Sequence, residues 1–334
     1  MHYRTFGRTG WPVSEVGYGL WGMGGWTGSD DEESLEALAR ALTLGCTFFD
    51  TAWAYGAGKS ETLLGHALRK RVRTPFSGDP GEKGVRPLFI ATKIPPKNMK
   101  WPGRAEYDVR DVYPPDHIRE YTEKSLANLG VDAIDLQQFH VWSDAWAADT
   151  GWQRAVEALK RENLVRAFGI SVNRWEPDNV MRALDTGLID SVQVVYNIFD
   201  QAAEDTLFPY CQSHGIAVIA RVPFDEGSLT GALTAASRWP EGDWRNVYFN
   251  RDHLAATLAR VGRLEPLVPE GMDLPELALR FILANPAVST TIPGMRRPRH
   301  VEGNMAVSDE GSLPPRLRDA LRSHRWDRAP DTTP

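Results

Sequence analysis

The sequence predicts an α/β fold, a (β/α)8 TIM barrel preceded by a short N-terminal β-hairpin. Three observations carry this. Apolar runs centred near Val16, Phe48, Ile90, Leu136, Phe168, Val194, Val218 and Thr290 alternate with stretches of helical periodicity, and eight parallel strands close a barrel of this kind. Runs such as Ile216-Ala217-Val218-Ile219-Ala220 are apolar without interruption, which suits strands covered on both faces. Glycine ends several helical stretches just before the next strand, at Gly45, Gly130, Gly187 and Gly215, where a left-handed residue reverses the chain. A doubly wound open sheet shows the same local alternation; the count of eight favours the barrel.

Taken in order, Tyr3 to Phe6 and Pro12 to Glu15 read as a hairpin turning at Gly7 and Thr9-Gly10, placed to plug one end of the barrel. Ser29-Asp30-Asp31-Glu32-Glu33 carries overlapping capping-box signals ahead of Leu35, Leu38 and Leu42 at helical spacing. A Gly/Pro-rich stretch between Arg73 and Pro87 joins a helix to a strand and belongs on the face away from the active end. Longer loops after the third and seventh strands, 93–113 and 221–250, overhang that end. The expected organisation is one domain over residues 1–326 and a flexible tail over 327–334.

With 42% hydrophobic and 25% charged residues among 334, the composition is that of an ordinary globular protein. A net charge of −6 argues against a nucleic-acid-binding surface, with one local basic run at Arg296-Arg297-Pro298-Arg299. The two cysteines, Cys46 and Cys211, fit small core residues in a reducing compartment. Met1-His2-Tyr3-Arg4 opens no apolar leader, and no run approaches the roughly 18 apolar residues of a membrane span. The expectation is a cytoplasmic protein without membrane or nucleic-acid partners; oligomeric state is left open.

Three apolar runs end in polar groups suited to one reaction. Asp50-Thr51-Ala52-Trp53-Ala54-Tyr55-Gly56 follows the second run, Lys93 closes Ala91-Thr92-Lys93, and His140 closes Leu136-Gln137-Gln138-Phe139-His140. Barrel strands deliver catalytic groups at these C-terminal ends. A tyrosine, with a pKa of about 10, needs a nearby cation to give up its proton at neutral pH. Lys93 can supply the cation, Asp50 can hold it, and His140 can donate to a carbonyl oxygen. Gly17, Gly19 and Gly22 match a dinucleotide fingerprint, but a loop follows where that motif needs a helix N-terminus.

In these motifs the sequence resembles the aldo-keto reductases from about Tyr3 to about Trp326. The resemblance implies NAD(P)H-dependent reduction of an aldehyde or ketone, with Tyr55 as proton donor assisted by Lys93, Asp50 and His140. It also implies that Ser171 and Gln193 contact the nicotinamide carboxamide, and that Gly227 and Ser228 lie in a loop covering the pyrophosphate. Arg221 stands where an aromatic residue often stacks on nicotinamide, and a guanidinium can stack as well. Val172 follows Ser171 where Asn is common, with Asn173 one place later. Arg296, Arg297 and Asn304 match the segment that holds the adenosine 2′-phosphate and adenine, so NADPH is expected over NADH. His300 and Gly303 depart from that segment's usual residues.

Trp21, Trp26, Trp53 and Trp142 fall in loops after strands one, two and four and are expected to wall a pocket for a small carbonyl compound or the apolar face of a sugar. No metal is expected, since no close histidine pair follows the first strand. The alternatives are an NAD-dependent sugar or alcohol dehydrogenase and a slow-turnover NADPH-binding regulatory barrel.

Overall fold

The computed structural model describes residues 1–26, 28–73 and 86–328. The Gly/Pro-rich stretch over 74–85 and residues 329–334 of the expected tail lie outside the described residues. The hairpin strands are β1 (Tyr3–Phe6) and β2 (Trp11–Ser14). The barrel strands are β3 (Tyr18–Gly19), β4 (Phe48–Asp50), β5 (Phe89–Ile94), β6 (Ile134–Phe139), β7 (Val165–Ser171), β8 (Ser191–Val195), β9 (Ala217–Arg221) and β10 (Val288–Thr291). They lie in sequence order in one parallel sheet.

The ring closes between its first and last strands through parallel bridges Val16 to Thr291 and Gly19 to Gly294. The Gly17 N–H donates to Thr291 O at 2.8 Å. A Cβ on Gly19 would stand 2.5 Å from the Ile292 carbonyl oxygen, so that glycine serves strand contact. Trp21–Met23 is a 3-10 turn and the next helix begins at Asp31, so no helix N-terminus opens on Gly22.

The hairpin seals the N-terminal end. Phe6 and Val13 are buried with Phe48, Phe89, Ala91, Leu136, Ala167, Ala217 and Ile219, and the rings of Phe6 and Phe48 stack at 5.3 Å. Inward alternate residues from successive strands fill the barrel floor in this way. The chain reverses at Gly45, Gly130, Gly187 and Gly215 with φ between 63° and 90°. Asp30 caps the helix Asp31–Thr43 by accepting from the Glu33 N–H at 2.8 Å. Cys46 and Cys211 are buried free thiols. Among the described residues no helix is long and apolar enough to cross a membrane.

Asp327 and Arg328, assigned from sequence to a flexible tail, are held by ion pairs. Arg325 contacts Asp327 at 2.6 Å, and Arg328 reaches Asp200 and Asp225.

Candidate active site

Sheet register assembles the site. Gly19 pairs with Asp50, Lys93 with Gln138, Ser171 with Gln193, and Val195 with Arg221, so the strand ends meet at one rim of the barrel. Lys93 lies inside with 1% of its side chain exposed. Its Nζ donates to Asp50 Oδ1 at 2.6 Å, to the Thr51 carbonyl oxygen at 2.7 Å and to the Tyr55 hydroxyl oxygen at 3.1 Å. Three acceptors saturate a buried ammonium.

The second Asp50 oxygen accepts from Gln193 Nε2 at 2.7 Å and from Gln138 Nε2 at 3.2 Å. Gln138 is a site residue that the sequence reading missed. Strand alternation could have found it, because it lies two residues before His140 and shares its face. The His140 ring meets the Tyr55 ring edge-on at 5.7 Å, and its Nδ1 is buried without a hydrogen-bond partner among the described residues. Trp101, also missed, stands edge-on to His140 at 5.9 Å and is 40% exposed. It comes from the overhanging loop after β5, where the sequence carried no strand-end signal.

Burial and charge set the protonation states. Burial pushes the Tyr55 phenol above its usual value; Lys93 opposes this and Asp50 adds to it. Burial works against the Lys93 ammonium, yet Asp50 and Tyr55 outweigh it and hold the amine above its usual range. Burial, with the like charges of Lys93 and Arg221, drives His140 well below the ordinary imidazole value. At neutral pH the site therefore holds a protonated phenol, an ammonium and a neutral imidazole.

Of the other predicted residues, Ser171 and Gln193 are buried neighbours at the ends of β7 and β8. Arg221 ends β9, donates from Nη2 to the Val172 carbonyl at 2.9 Å, and keeps its Nε unpartnered among the described residues. Burial, with Arg174 nearby, brings its pKa down to about 10. Asn173 is committed elsewhere: Oδ1 accepts from the Gly103 N–H at 3.3 Å and Nδ2 donates to the Gly103 carbonyl at 2.7 Å. It fastens the loop that carries Trp101.

Gly227 and Ser228 lie in the 3-10 turn Asp225–Thr230. The Gly227 φ of 103° is one that residues with a Cβ avoid, and the Ser228 hydroxyl donates to Asp225 Oδ2 at 2.7 Å. Arg296 lies against the glycine loop, since Cβ atoms on Gly22 and Gly28 would each meet its side chain at 3.5 Å. Arg297 stands at the N-cap of the helix Pro298–Ala306 with its Nε 3.4 Å from Glu33. Asn304 is buried in the same helix.

The tryptophans divide. Trp21 and Trp26 stack at 5.2 Å and are 42% and 39% exposed. Trp53 turns edge-on to Tyr121 of the helix Pro115–Leu129 at 4.7 Å. Trp142, expected in the pocket wall, is fully buried: it stacks on Phe139 at 5.3 Å and meets Trp152 edge-on at 5.2 Å. Aromatic packing between strand and helices takes it into the core. Among the described residues no group of three or more His, Cys, Asp or Glu side chains is placed to hold a metal ion.

The aldo/keto reductase family model matches residues 15–324. The chain is similar to the NADH-specific methylglyoxal reductase of Escherichia coli, with 29% identity over 317 residues, 90% of this chain and 91% of the relative. It is similar in structure to an aldo-keto reductase of Bacillus halodurans in its holo form, with 26% identity, 99% of each chain covered and a TM-score of 0.75. The glycerol dehydrogenase of Gluconobacter oxydans is a further similar structure, with 27% identity, 96% of this chain and 95% of that chain covered, and a TM-score of 0.74.

Proposed function

The chain belongs to the aldo/keto reductase family of oxidoreductases, and from that premise we propose that it reduces an aldehyde or ketone to an alcohol with NADPH, Tyr55 delivering the proton. The observation that carries this reading is the buried Lys93 ammonium, fixed by Asp50 and touching the Tyr55 hydroxyl at the barrel rim.

Ser171, Gln193 and Arg221 offer a hydroxyl, an amide and a guanidinium on neighbouring strand ends, a donor and acceptor set that fits a nicotinamide carboxamide. When bound, the nicotinamide supplies the hydride. His140, kept neutral by burial, orients the carbonyl with its ring N–H and stabilises the negative charge that develops on oxygen. Tyr55 transfers its proton to that oxygen and becomes a phenolate, which the Lys93 ammonium 3.1 Å away stabilises. Asp50, held by two glutamine amides, keeps the ammonium in place, and solvent returns the proton to Tyr55.

Arg296 and Arg297, at the start of the helix Pro298–Ala306, support NADPH by matching the 2′-phosphate with charge and a helix N-terminus. The contact of Arg297 with Glu33 is half-exposed, and such pairs are weak enough to exchange for a phosphate. Trp101 beside His140, together with the Trp21–Trp26 stack, supports a flat or apolar carbonyl substrate.

The test follows NADPH absorbance with an activated aromatic aldehyde, comparing wild type with Tyr55→Phe and repeating with NADH. Turnover falls in the variant by about 10²- to 10⁴-fold, while NADPH affinity stays near wild type. Full activity in Tyr55→Phe rules out the proton-donor role. NADPH binding without turnover in wild type favours a regulatory barrel.

A further inference from the structure

A buried guanidinium requires acidic partners, and Arg328 has two. Its side chain is 4% exposed, and those of Asp200 and Asp225 are 7% and 1% exposed. Arg328 Nε donates to Asp200 Oδ1 at 3.2 Å, Nη2 contacts both Asp200 Oδ2 and Asp225 Oδ1, the latter at 2.9 Å, and Nη1 donates to the Tyr248 hydroxyl at 2.9 Å. The guanidinium also lies 5.0 Å from the centre of the Trp175 ring and 4.7 Å from that of Trp326.

Asp225 passes this grip into the loop after β9. Its Oδ2 accepts the Ser228 hydroxyl at 2.7 Å. Asp225 and Glu226 have φ of 43° and 57°, left-handed values in residues that carry a Cβ, a conformation that persists only where surroundings enforce it. Each is held by an arginine from another part of the chain, Asp225 by Arg328 and Glu226 by Arg174. Asp200 and Asp225 both lie against the Arg328 guanidinium, which offsets their mutual repulsion, so removing the cation leaves two buried carboxylates opposed.

We propose that Arg328 is a positioning residue for cofactor binding: it clamps Asp225, and through it Ser228, so that the turn Asp225–Thr230 is preformed to receive the dinucleotide pyrophosphate. This rests on the proposed nicotinamide-dependent function. Arg328 itself touches neither the reacting atoms nor Lys93 and Tyr55; its effect falls on cofactor affinity.

The test uses the full chain with Arg328→Gln and Arg328→Lys, and reads two quantities. Hydrogen exchange of the ligand-free protein over residues 222–229 accelerates in Arg328→Gln, while the barrel strands keep their protection. Tryptophan fluorescence titration gives a Kd for NADPH and for NADH raised by about tenfold, as expected if roughly a tenth of the molecules keep a competent loop. The kcat at saturating cofactor and the KM for aldehyde do not worsen. Arg328→Lys falls between, and adding Asp200→Asn to Arg328→Gln recovers part of the affinity by removing one opposed carboxylate. An unchanged Kd in Arg328→Gln overturns the proposal, as does unchanged exchange at 222–229 or a loss of protection shared with the whole barrel. A wild type that binds neither cofactor overturns the underlying functional reading as well, and is told apart by that first titration.

Discussion

Lys93 and Asp50 form an ion pair of 2.6 Å with 1% and 3% of their side chains exposed, and the Tyr55 hydroxyl closes the ammonium's third contact. Removing one partner of a buried pair leaves an uncompensated charge, which costs about 3–5 kcal/mol. Lys93→Met is expected to lose that much stability in urea denaturation. Asp50→Asn combined with Lys93→Met is expected to recover most of it, because no uncompensated charge is left buried and the two glutamine amides still donate to the new carboxamide oxygen. Additive losses in the double variant contradict the pairing.

Arg296→Ala combined with Arg297→Ala is expected to weaken NADPH by 10-fold or more, about 1.4 kcal/mol or greater, with NADH little changed. Two charge-assisted contacts to a 2′-phosphate that NADH lacks account for the difference. Equal weakening of both cofactors, measured by fluorescence titration, shows that these arginines do not read the phosphate.

His140 gives the site a pH dependence of known sign. Its folded pKa lies well below the ordinary value of about 6.5, so the unfolded chain binds more protons between those two values. Stability contributed by the neutral imidazole is complete above about pH 6.5 and is lost as pH falls toward the folded pKa. His117 is lowered in the same direction by burial, so His140→Asn removes only part of the acid sensitivity. The wild-type-minus-variant difference in denaturation free energy is expected to shrink steadily below pH 6.5; a flat difference means that His140 titrates normally.

Gly7 tests the hairpin plug at the end of the barrel away from the chemistry. Its φ is 50°, and a Cβ would stand 2.5 Å from the Gly215 carbonyl oxygen and 2.6 Å from Ala217 N. Gly7→Ala is expected to lower stability by about 1–3 kcal/mol, with kcat at a permissive temperature near wild type. A normal melting temperature shows that the hairpin shifts without cost.

The eight strands, the hairpin and the glycine reversals were legible because apolar period and left-handed caps are local properties of the chain. Asp50, Lys93 and His140 were legible for a related reason: a barrel strand that ends in a polar residue displays it at one rim. Trp142 shows where the same rule stops. Its place after β6 suggested a pocket wall, while Phe139 and Trp152 supply enough aromatic surface to draw it into the core.

By itself the sequence determined the barrel and the identity of the groups at its rim. Only the tertiary structure decided what those groups touch: Gln138 on Asp50, Trp101 beside His140, Asn173 on the Gly103 backbone, and Arg328 between two aspartates. The physical reason is distance along the chain. Strand period and helix caps are set by neighbours a few residues apart, whereas the partner of a buried charge is whichever group the closed sheet brings within about 3 Å, and that depends on every strand's register at once.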